Sequence, residues 1–438
     1  MEYYSTNGRS PSVSLKEAVV RGLAPDRGLY MPQVIKRLPD DFLEHIETCS
    51  FHKIACRVAE AFFGEDVPEE ELNRIVTETL SFDCPVVPVR PNIWSLELFH
   101  GPTLAFKDVG ARFMARMLRY FAASDLDQAE KQGPLNVLVA TSGDTGSAVA
   151  NGFLGVEGVR VYVLYPKGKV SPIQECQFTT LGQNITAVEV DGTFDDCQAL
   201  VKSAFVDEEL RGKRRLTSAN SINVARFLPQ SFYYFWAYAQ LKRQGQADRL
   251  VVCVPSGNFG NLAAGLFAHE MGLPIARFIA ANNANDVFYN YLQSGSYQPR
   301  PSVQTIANAM DVGDPSNFAR IMALYHASHD AVVSEISGAT YSDEAIRRII
   351  RDCQQEWNYL LDPHGACAYQ ALVDGLQEGE TGVFLETAHP AKFCQTVEQI
   401  IGKTVELPAR LEAFTKGKRQ VVSLNPDFED FKSLLLKD

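Results

Sequence analysis

The segment L-V-V-C-V-P-S-G-N-F-G-N-L-A-A-G, Leu250 to Gly265, decides the fold class. Its first residues are a continuous apolar run, as in a buried strand, and Leu262 to Met271 follow with the pattern of an amphipathic helix. Small and polar residues make the turn between them. Such a turn directs backbone N–H groups and the positive end of a helix toward one point, which suits a phosphate group.

The same turn lacks the G-K-[S/T] of a nucleoside triphosphate loop and fits G-x-G-x-x-G poorly. It therefore predicts a site for the single phosphate of a cofactor rather than for a dinucleotide. The alternative is a tight strand-to-helix turn that binds nothing.

Upstream, three further apolar runs alternate with helix-like stretches. They are N-V-L-V-A-T from Asn136, V-R-V-Y-V-L-Y from Val159 and I-T-A-V-E-V from Ile185. Continuous apolar strands separated by helices indicate a parallel sheet covered on both faces, so the chain is predicted to be an α/β protein. A long aromatic helix is expected from Ala225 to Leu241.

The composition fits a globular protein of several domains. The chain has 438 residues, of which 46% are hydrophobic and 21% charged, and 41 basic residues against 53 acidic ones leave a net charge of −12. Because that charge repels polyanions, we expect no nucleic-acid partner. Any anionic ligand must be bound by local groups.

The N-terminus has no secretory pattern and no run is long enough to span a membrane, so no membrane partner and a cytoplasmic location are expected. The nine cysteines form no C-x-x-C pair, which favours reduced thiols and predicts no metal site. His364 and His389 are interpreted as histidines bonded to loop backbone, although a role near a substrate is the alternative.

A second strand-to-helix loop, T-S-G-D-T-G-S from Thr141 to Ser147, has the same design as the first. Its hydroxyls and exposed amides could bind a carboxylate, and the alternative is an ordinary helix cap. Two such loops in one α/β protein favour two anionic groups held close together.

The third element is H-G-P-T-L-A-F-K-D, His100 to Asp108, where Lys107 stands in an otherwise apolar stretch. Apolar surroundings disfavour the charged ammonium form and favour a nucleophilic amine, whereas most lysines simply place their charge in solvent. A nucleophilic lysine, a phosphate loop and a carboxylate loop together predict a pyridoxal 5′-phosphate enzyme that acts on an amino acid.

These segments resemble the threonine synthase family. H-G-P-T-L-A-F-K-D, A-T-S-G-D-T-G-S-A, S-A-N-S-I-N-V-A-R-F-L-P-Q, P-S-G-N-F-G-N and E-T-A-H-P-A-K-F occur in the order seen in that family. The resemblance runs from about Tyr4 to about Ile401. It implies the fold of type II pyridoxal phosphate enzymes, similar to the tryptophan synthase β subunit, with two α/β domains and a mainly helical N-terminal domain.

By this resemblance, Lys107 would bind the cofactor covalently and then act as the acid and base. Phe106 would support the cofactor ring, and Thr387 would offer its hydroxyl to the ring nitrogen. The residues expected to bind the cofactor phosphate are Ser256, Gly257, Asn258, Phe259, Gly260 and Asn261.

The resemblance also assigns the substrate site. Asp144 would face the cofactor, although a carboxylate beside a phenolic oxygen is electrostatically unfavourable. The residues expected to bind the substrate carboxylate are Thr141, Ser142, Gly143 and Thr145, and those expected to bind its phosphate are Asn220, Ser221, Asn223 and Arg226.

The expected division of the chain has four parts. They are an N-terminal mainly helical domain at 1–90, a large cofactor-binding domain at 91–120 and 216–405, a small α/β domain at 121–215, and a C-terminal extension at 406–438.

The implied reaction converts O-phospho-L-homoserine and water to L-threonine and phosphate. The protein is expected to be a monomer or a homodimer. One alternative is a phospho-lyase or dehydratase on the same scaffold, which eliminates without adding water. Another is a silent cofactor-binding protein, which would normally have lost the lysine.

Overall fold

The computed structural model describes residues 1–123 and 133–437. Contacts divide the chain into two compact units. The first unit is Met1, Met31–Phe106 and Phe227–Glu406, and the second is Glu2–Tyr30 with the described residues of Lys107–Arg226 and Leu407–Asp438.

The strands of the described chain are β1 (Glu2–Ser5), β2 (Val13–Ser14), β3 (Tyr30–Pro32), β4 (Val86–Arg90), β5 (Ile93–Glu97), β6 (Leu135–Ala140), β7 (Val159–Pro166), β8 (Ile185–Val190), β9 (Arg215–Ser218), β10 (Leu250–Pro255), β11 (Arg277–Asn282), β12 (Ile336–Thr340), β13 (Thr381–Glu386) and β14 (Val422–Leu424).

The α-helices are α1 (Leu15–Arg21), α2 (Asp40–Glu44), α3 (Phe51–Phe63), α4 (Glu69–Thr79), α5 (Lys107–Ala123), α6 (Asp144–Phe153), α7 (Pro172–Thr179), α8 (Phe194–Val206), α9 (Glu208–Lys213), α10 (Val224–Phe227), α11 (Ser231–Arg243), α12 (Gly260–Glu270), α13 (Val287–Ser294), α14 (Phe318–Leu324), α15 (His329–Glu335), α16 (Asp343–Trp357), α17 (Pro363–Gly375), α18 (Cys394–Ile401), α19 (Ala409–Thr415) and α20 (Phe428–Lys437).

The first unit is built on a six-stranded sheet in the order β12-β11-β10-β13-β5-β4. Its strands are parallel except that β4 pairs antiparallel with β5. Every residue of β10 and β13 is buried, which is the burial that their continuous apolar sequence predicts for central strands. Residues of α16 and α17 pack with these strands in one apolar core.

The second unit is built on a parallel five-stranded sheet in the order β14-β8-β7-β6-β9. Every residue of β6 is buried. Residues of α8 and α20 pack with the strands in a core of their own. The α/β prediction, with a parallel sheet built from these apolar runs, is therefore confirmed.

The expected aromatic helix from Ala225 to Leu241 is interrupted. The chain forms α10, then a 3₁₀ turn over Leu228–Gln230, and only then α11. Pro229 explains the break, because proline has no N–H to donate and its ring clashes with the carbonyl four residues earlier. In the N-terminal part of the chain, α2 is followed by a 3₁₀ turn over Ile46–Thr48 and then by α3, with Ser50 capping α3 through a bond from the Lys53 N–H.

The two compact units group the chain differently from the four expected domains. Residues 1–90 contribute to both units, and most of the expected extension at 406–438 belongs with the second unit, where β14 pairs with β8. The four-domain division stays a prediction, and residues 124–132 of its small domain lie outside the described residues.

Among the described helices, none has both the length and the apolar character needed to cross a membrane.

Candidate active site

Three loops of the first unit meet at one edge of its sheet. Because β5, β13 and β10 are neighbouring parallel strands, the loops that follow them leave from the same side. These loops contain Phe106, Thr387 and Ser256 to Asn261. Ligands of open parallel sheets bind at this carboxyl edge.

The loop after β10 has the backbone of an anion site. Phe259 has the left-handed φ of 60° and precedes α12, and no side chain caps the first turn of that helix. The leading N–H groups of a helix have no acceptor inside it, so they can donate to an anion that lies beyond the helix start. This geometry suits an anion, and the assignment of the loop to a cofactor phosphate stays a prediction.

Position 257 requires glycine because the backbone of another turn lies very close to it. A Cβ built on Gly257 would lie 2.7 Å from the carbonyl oxygen of Ala309 and 2.9 Å from the Cα of Met310. Both neighbours are main chain, so neither could move without moving its own turn. A side chain at position 257 would therefore displace the loop.

Asn261 presents a buried donor. Its Oδ1 accepts from the hydroxyls of Tyr233 at 2.6 Å and Tyr234 at 2.8 Å, and burial raises the pKa of both tyrosines well above the usual range. The two hydroxyls fix the orientation of the amide. Its Nδ2 is buried and has no hydrogen-bond partner among the described residues. An unsatisfied buried donor on this loop fits an anion such as the cofactor phosphate.

Residues 316 and 317 stabilise the loop after β10 through hydrogen bonds to Asn258. Oδ1 of Asn258 accepts from the N–H of Ser316 at 2.7 Å and from its hydroxyl at 2.9 Å, and the Asn258 carbonyl accepts from Nδ2 of Asn317 at 2.9 Å. The Phe259 ring packs 4.5 Å from that of Phe288. Asn258 therefore has a structural use in addition to any contact with a phosphate.

Phe106 and Thr387 lie side by side. The N–H of Phe106 donates to the carbonyl of Thr387 at 2.9 Å, and the N–H of His389 donates to the carbonyl of Leu104 at 3.1 Å. Leu104 has a φ of 56°, which bends the chain into this pairing. The two segments that sequence reasoning assigned to the cofactor ring are thus joined.

The two histidines bond backbone, as interpreted from the sequence. The N–H of Ala391 donates to Nδ1 of His389, and the N–H of Ala309 donates to Nε2 of His364. Burial, and then the neighbouring His100, lowers the pKa of His389 to about 4. His389 is therefore neutral at physiological pH.

In the second unit, the other predicted residues also gather at a carboxyl edge. β6 and β9 are parallel neighbours, so the loop from Thr141 and the segment from Asn220 to Arg226 leave the sheet on the same side. The structure therefore brings the two predicted substrate-binding segments together.

Thr141 shapes its own loop. Its hydroxyl accepts from the N–H groups of Gly143 at 2.9 Å and Gly146 at 2.8 Å. Gly143 has a φ of 146°, and no side chain caps the start of α6. Ser142 is exposed and Thr145 is half-buried, so their hydroxyls and the helix start remain the candidate groups for a carboxylate.

Asp144 contacts Gln174, which sequence reasoning missed. Nε2 of Gln174 donates to Oδ1 of Asp144 at 2.9 Å, and the hydroxyl of Ser171 donates to Oε1 of Gln174 at 3.0 Å. Gln174 also lies where a Cβ on Gly143 would be, at 2.6 Å. Nothing in the local pattern around Gln174 distinguishes it from other helical glutamines.

Asn223 and Arg226 are both buried. Asn223 donates to the Val19 carbonyl at 2.8 Å and accepts from the Ala225 N–H at 3.0 Å, so most of its polar capacity serves the fold. Arg226 donates to the Ala219 carbonyl at 3.1 Å. Burial lowers the pKa of Arg226 to about 10, and the Asp108 carboxylate partly offsets this.

Asn220 and Ser221 are half-buried, which leaves them accessible to a small ligand.

Lys107 is half-buried and is the first residue of α5, directly after Phe106 in the chain.

Comparison with known proteins agrees with these features. Three family models match: "Pyridoxal-phosphate dependent enzyme" over residues 83–387, "Threonine synthase N terminus" over 2–80 and "Threonine synthase, C-terminal" over 364–435. The threonine synthase of Serratia marcescens is 47% identical over 94% of this chain and 93% of its own.

Two solved structures are similar over nearly the whole chain. The crystal structure of threonine synthase from Escherichia coli has a TM-score of 0.92 and 43% identity, and covers 100% of both chains. The structure of pyridoxal-phosphate-bound threonine synthase from Brucella melitensis has a TM-score of 0.91 and 35% identity, and covers 99% of this chain and 98% of its own.

Proposed function

Because the chain belongs to the threonine synthase family, we propose that it converts O-phospho-L-homoserine and water to L-threonine and phosphate, the last step of threonine biosynthesis. It is a pyridoxal-phosphate-dependent lyase that acts on a small molecule. The observation that carries the proposal is the match to threonine synthases from one end of the chain to the other. The uncapped start of α12 and the unsatisfied Nδ2 of Asn261 support it independently.

In the first unit, the loop from Ser256 to Asn261 would bind the cofactor phosphate through its amides and the Asn261 side chain. Phe106 would support the cofactor ring, and Thr387 would place a neutral hydroxyl at the ring nitrogen. A neutral partner leaves the ring a weaker electron sink than a carboxylate would.

Bound pyridoxal phosphate supplies a ring that stabilises negative charge at the substrate Cα. Lys107 would hold the cofactor covalently until substrate displaces it. Its amine would then remove the Cα proton and afterwards a Cβ proton. The substrate phosphate would leave from Cγ, a proton would be delivered to Cγ, and the hydroxyl of water would add at Cβ. The amine of Lys107 would finally return a proton to Cα, which completes threonine.

In the second unit, Ser142, Gly143 and Thr145 would bind the substrate carboxylate at the start of α6. Thr141 would contribute by holding the loop amides in place. Binding of the carboxylate would orient the substrate and so determine which bond at Cα is broken. Asp144, held by Gln174, would face the cofactor.

The segment containing Asn220, Ser221, Asn223 and Arg226 would bind the substrate phosphate. The Arg226 guanidinium is suited to a phosphate by its charge and its paired donors. Asn223 would act mainly by shaping the segment, because it already bonds Val19 and Ala225.

The proposal is tested with purified protein, pyridoxal phosphate and O-phospho-L-homoserine. Threonine and phosphate should be released in equal amounts. Phosphate accompanied by 2-oxobutyrate would instead identify a phospho-lyase that eliminates without adding water. Absence of turnover with cofactor bound would identify a silent cofactor-binding protein.

We further propose that the enzyme works in the cytoplasm, as a monomer or a homodimer, without nucleic-acid or membrane partners. All nine cysteines are free thiols, which supports a reducing compartment. The net charge of −12 argues against polyanionic partners.

A further inference from the structure

His364 is a buried histidine whose ring links the start of α17 to a turn beside the phosphate-binding loop, Ser256 to Asn261. Its Nε2 accepts from the N–H of Ala309 at 3.1 Å, and its Nδ1 lies 2.5 Å from Oδ1 of Asp362. A backbone N–H can only donate, so Nε2 carries no proton. The ring is therefore neutral, and its proton on Nδ1 is donated to Asp362.

Asp362 holds the ring in this orientation. It is fully buried and caps α17, where its side chain accepts from the N–H groups of His364 and Gly365. The carboxylate is thus fixed by the same helix that carries the imidazole. Little freedom remains for the ring to rotate away from Ala309.

Ala309 lies in the turn that packs against Gly257. The space that a Cβ on Gly257 would need is taken by the Ala309 carbonyl and the Met310 Cα, at 2.7 and 2.9 Å. The position of this turn therefore sets the position of the Gly257 backbone.

The two flanks of the turn are held by Asn283. Its Nδ2 donates to the Ala307 carbonyl at 3.2 Å and to Oδ1 of Asp311 at 2.8 Å. His364 adds a bond at Ala309, between the two residues that Asn283 holds.

We propose that His364 is a positioning residue for cofactor binding. It acts as a hydrogen-bond acceptor that fixes the Ala309 turn and, through Gly257, aligns the loop amides with the cofactor phosphate. The inference rests on the proposed function in that it takes Ser256 to Asn261 as the phosphate site. It assigns His364 no contact with the cofactor or the substrate.

Two variants separate the two bonds of the ring. His364→Asn keeps a donor for Asp362 but is too short to accept from Ala309, whereas His364→Gln places an acceptor near the position of Nε2. Cys367→Ala, a buried change one turn along α17, serves as the matched control for packing. For each full-length protein, the dissociation constants of pyridoxal 5′-phosphate and of pyridoxal are measured by absorbance titration.

The contribution of the phosphate group to binding is the dissociation constant of pyridoxal divided by that of pyridoxal 5′-phosphate. Loss of the bond leaves a buried N–H unsatisfied, so His364→Asn should reduce the ratio about tenfold through weaker binding of the phosphorylated form alone. His364→Gln should lie closer to the wild-type ratio, and Cys367→Ala should match it. A general loss of protein stability would weaken the binding of both ligands and leave the ratio unchanged.

An unchanged ratio in His364→Asn would overturn the inference while leaving the proposed function intact. If that variant does not fold, a His364→Gln ratio as low as tenfold below wild type would overturn it, since this variant keeps the acceptor. If the wild-type protein binds pyridoxal as tightly as its phosphate, the loop is not a phosphate site, and the proposed function loses its structural support first.

Discussion

The backbone N–H of Phe106 donates to the carbonyl of Thr387 at 2.9 Å, although the two residues are far apart in the chain. This bond joins the loop after β5 to the loop after β13 and fixes the residue that directly precedes Lys107. On the proposed mechanism Lys107 is the reactive residue, and its backbone follows this fixed position. Its side chain therefore loses less conformational freedom when it meets the substrate.

On the proposed mechanism, Lys107→Ala removes the amine that transfers the Cα proton, so turnover should fall steeply. The expected loss is at least about 10²-fold to 10⁴-fold, the range attributed to a positioned acid or base. The absorption band of covalently bound cofactor should also vanish. Lys213→Ala removes an exposed lysine paired with Glu209 and should change neither property. An unchanged cofactor spectrum in Lys107→Ala would remove the central residue of the proposed site.

Gly257→Ala should weaken cofactor binding by displacing the loop that is proposed to bind the cofactor phosphate, Ser256 to Asn261. The added methyl group would meet main-chain atoms at 2.7 and 2.9 Å, a clash that typically costs about 1–3 kcal/mol. The measurement is the dissociation constant of pyridoxal phosphate. Gly212→Ala is the matched control, since a Cβ there meets no atom within 4 Å. Equal affinities in the two variants would contradict the close approach.

Asn261→Asp tests the unsatisfied donor directly. Aspartate keeps an oxygen for Tyr233 and Tyr234 but replaces the Nδ2 donor with a second, negatively charged oxygen. Loss of a charge-assisted bond costs about 1.5–3 kcal/mol, so pyridoxal phosphate should bind at least tenfold more weakly. Pyridoxal, which has no phosphate, should bind as it does to the wild-type protein. A parallel loss for both ligands would place Asn261 away from the phosphate.

Gln174→Glu tests the assignment of the second loop. A carboxylate would then face the Asp144 carboxylate in place of the Nε2 donor at 2.9 Å, and repulsion should disturb the start of α6. We expect KM for the substrate to rise several-fold, because the loop from Thr141 would bind the substrate carboxylate. The affinity for pyridoxal phosphate should fall as well, because Asp144 would face the cofactor. Gln174→Met, which removes the donor without adding charge, should give an intermediate KM. An unchanged KM would contradict the assignment of this loop to the substrate.

Local sequence predicted the elements that bear the site because each is a continuous pattern. The apolar run of β10 followed by small residues identified both the strand and the loop after it, and the loop from Thr141 was found in the same way. The break at Pro229 could have been foreseen from that residue alone. It was missed because the aromatic residues around it suggest one uninterrupted helix.

The supporting contacts could not be predicted, because they join residues distant in sequence. Gln174 meets Asp144 across 30 positions, and His364 meets Ala309 across 55. Both depend on how helices pack beside the sheets. Local patterns record which side chains a segment carries, but not which distant backbone group each will meet.

His389 should make the fold less stable in acid. The pKa of His389 is lowered to about 4 by burial first and then by His100, whereas an unfolded histidine titrates near 6.5. Between these pH values His389 is protonated in the unfolded chain but not in the folded one. Its contribution to the free energy of unfolding is therefore fully present above about pH 6.5 and is lost as the pH drops toward 4. The difference corresponds to an upper limit of about 3 kcal/mol.

The measurement compares urea unfolding at pH 7 and pH 5 for the wild-type protein and His389→Gln. The buried Glu386, whose pKa is raised by burial and by Asp362, contributes in the opposite direction in both proteins and cancels in the comparison. The glutamine variant should therefore lose less free energy of unfolding on acidification than wild type. His45→Gln, at an exposed position, should respond as wild type does. Equal acid sensitivity in wild type and His389→Gln would mean that His389 is already charged in the folded protein, which its bond from the Ala391 N–H to Nδ1 argues against.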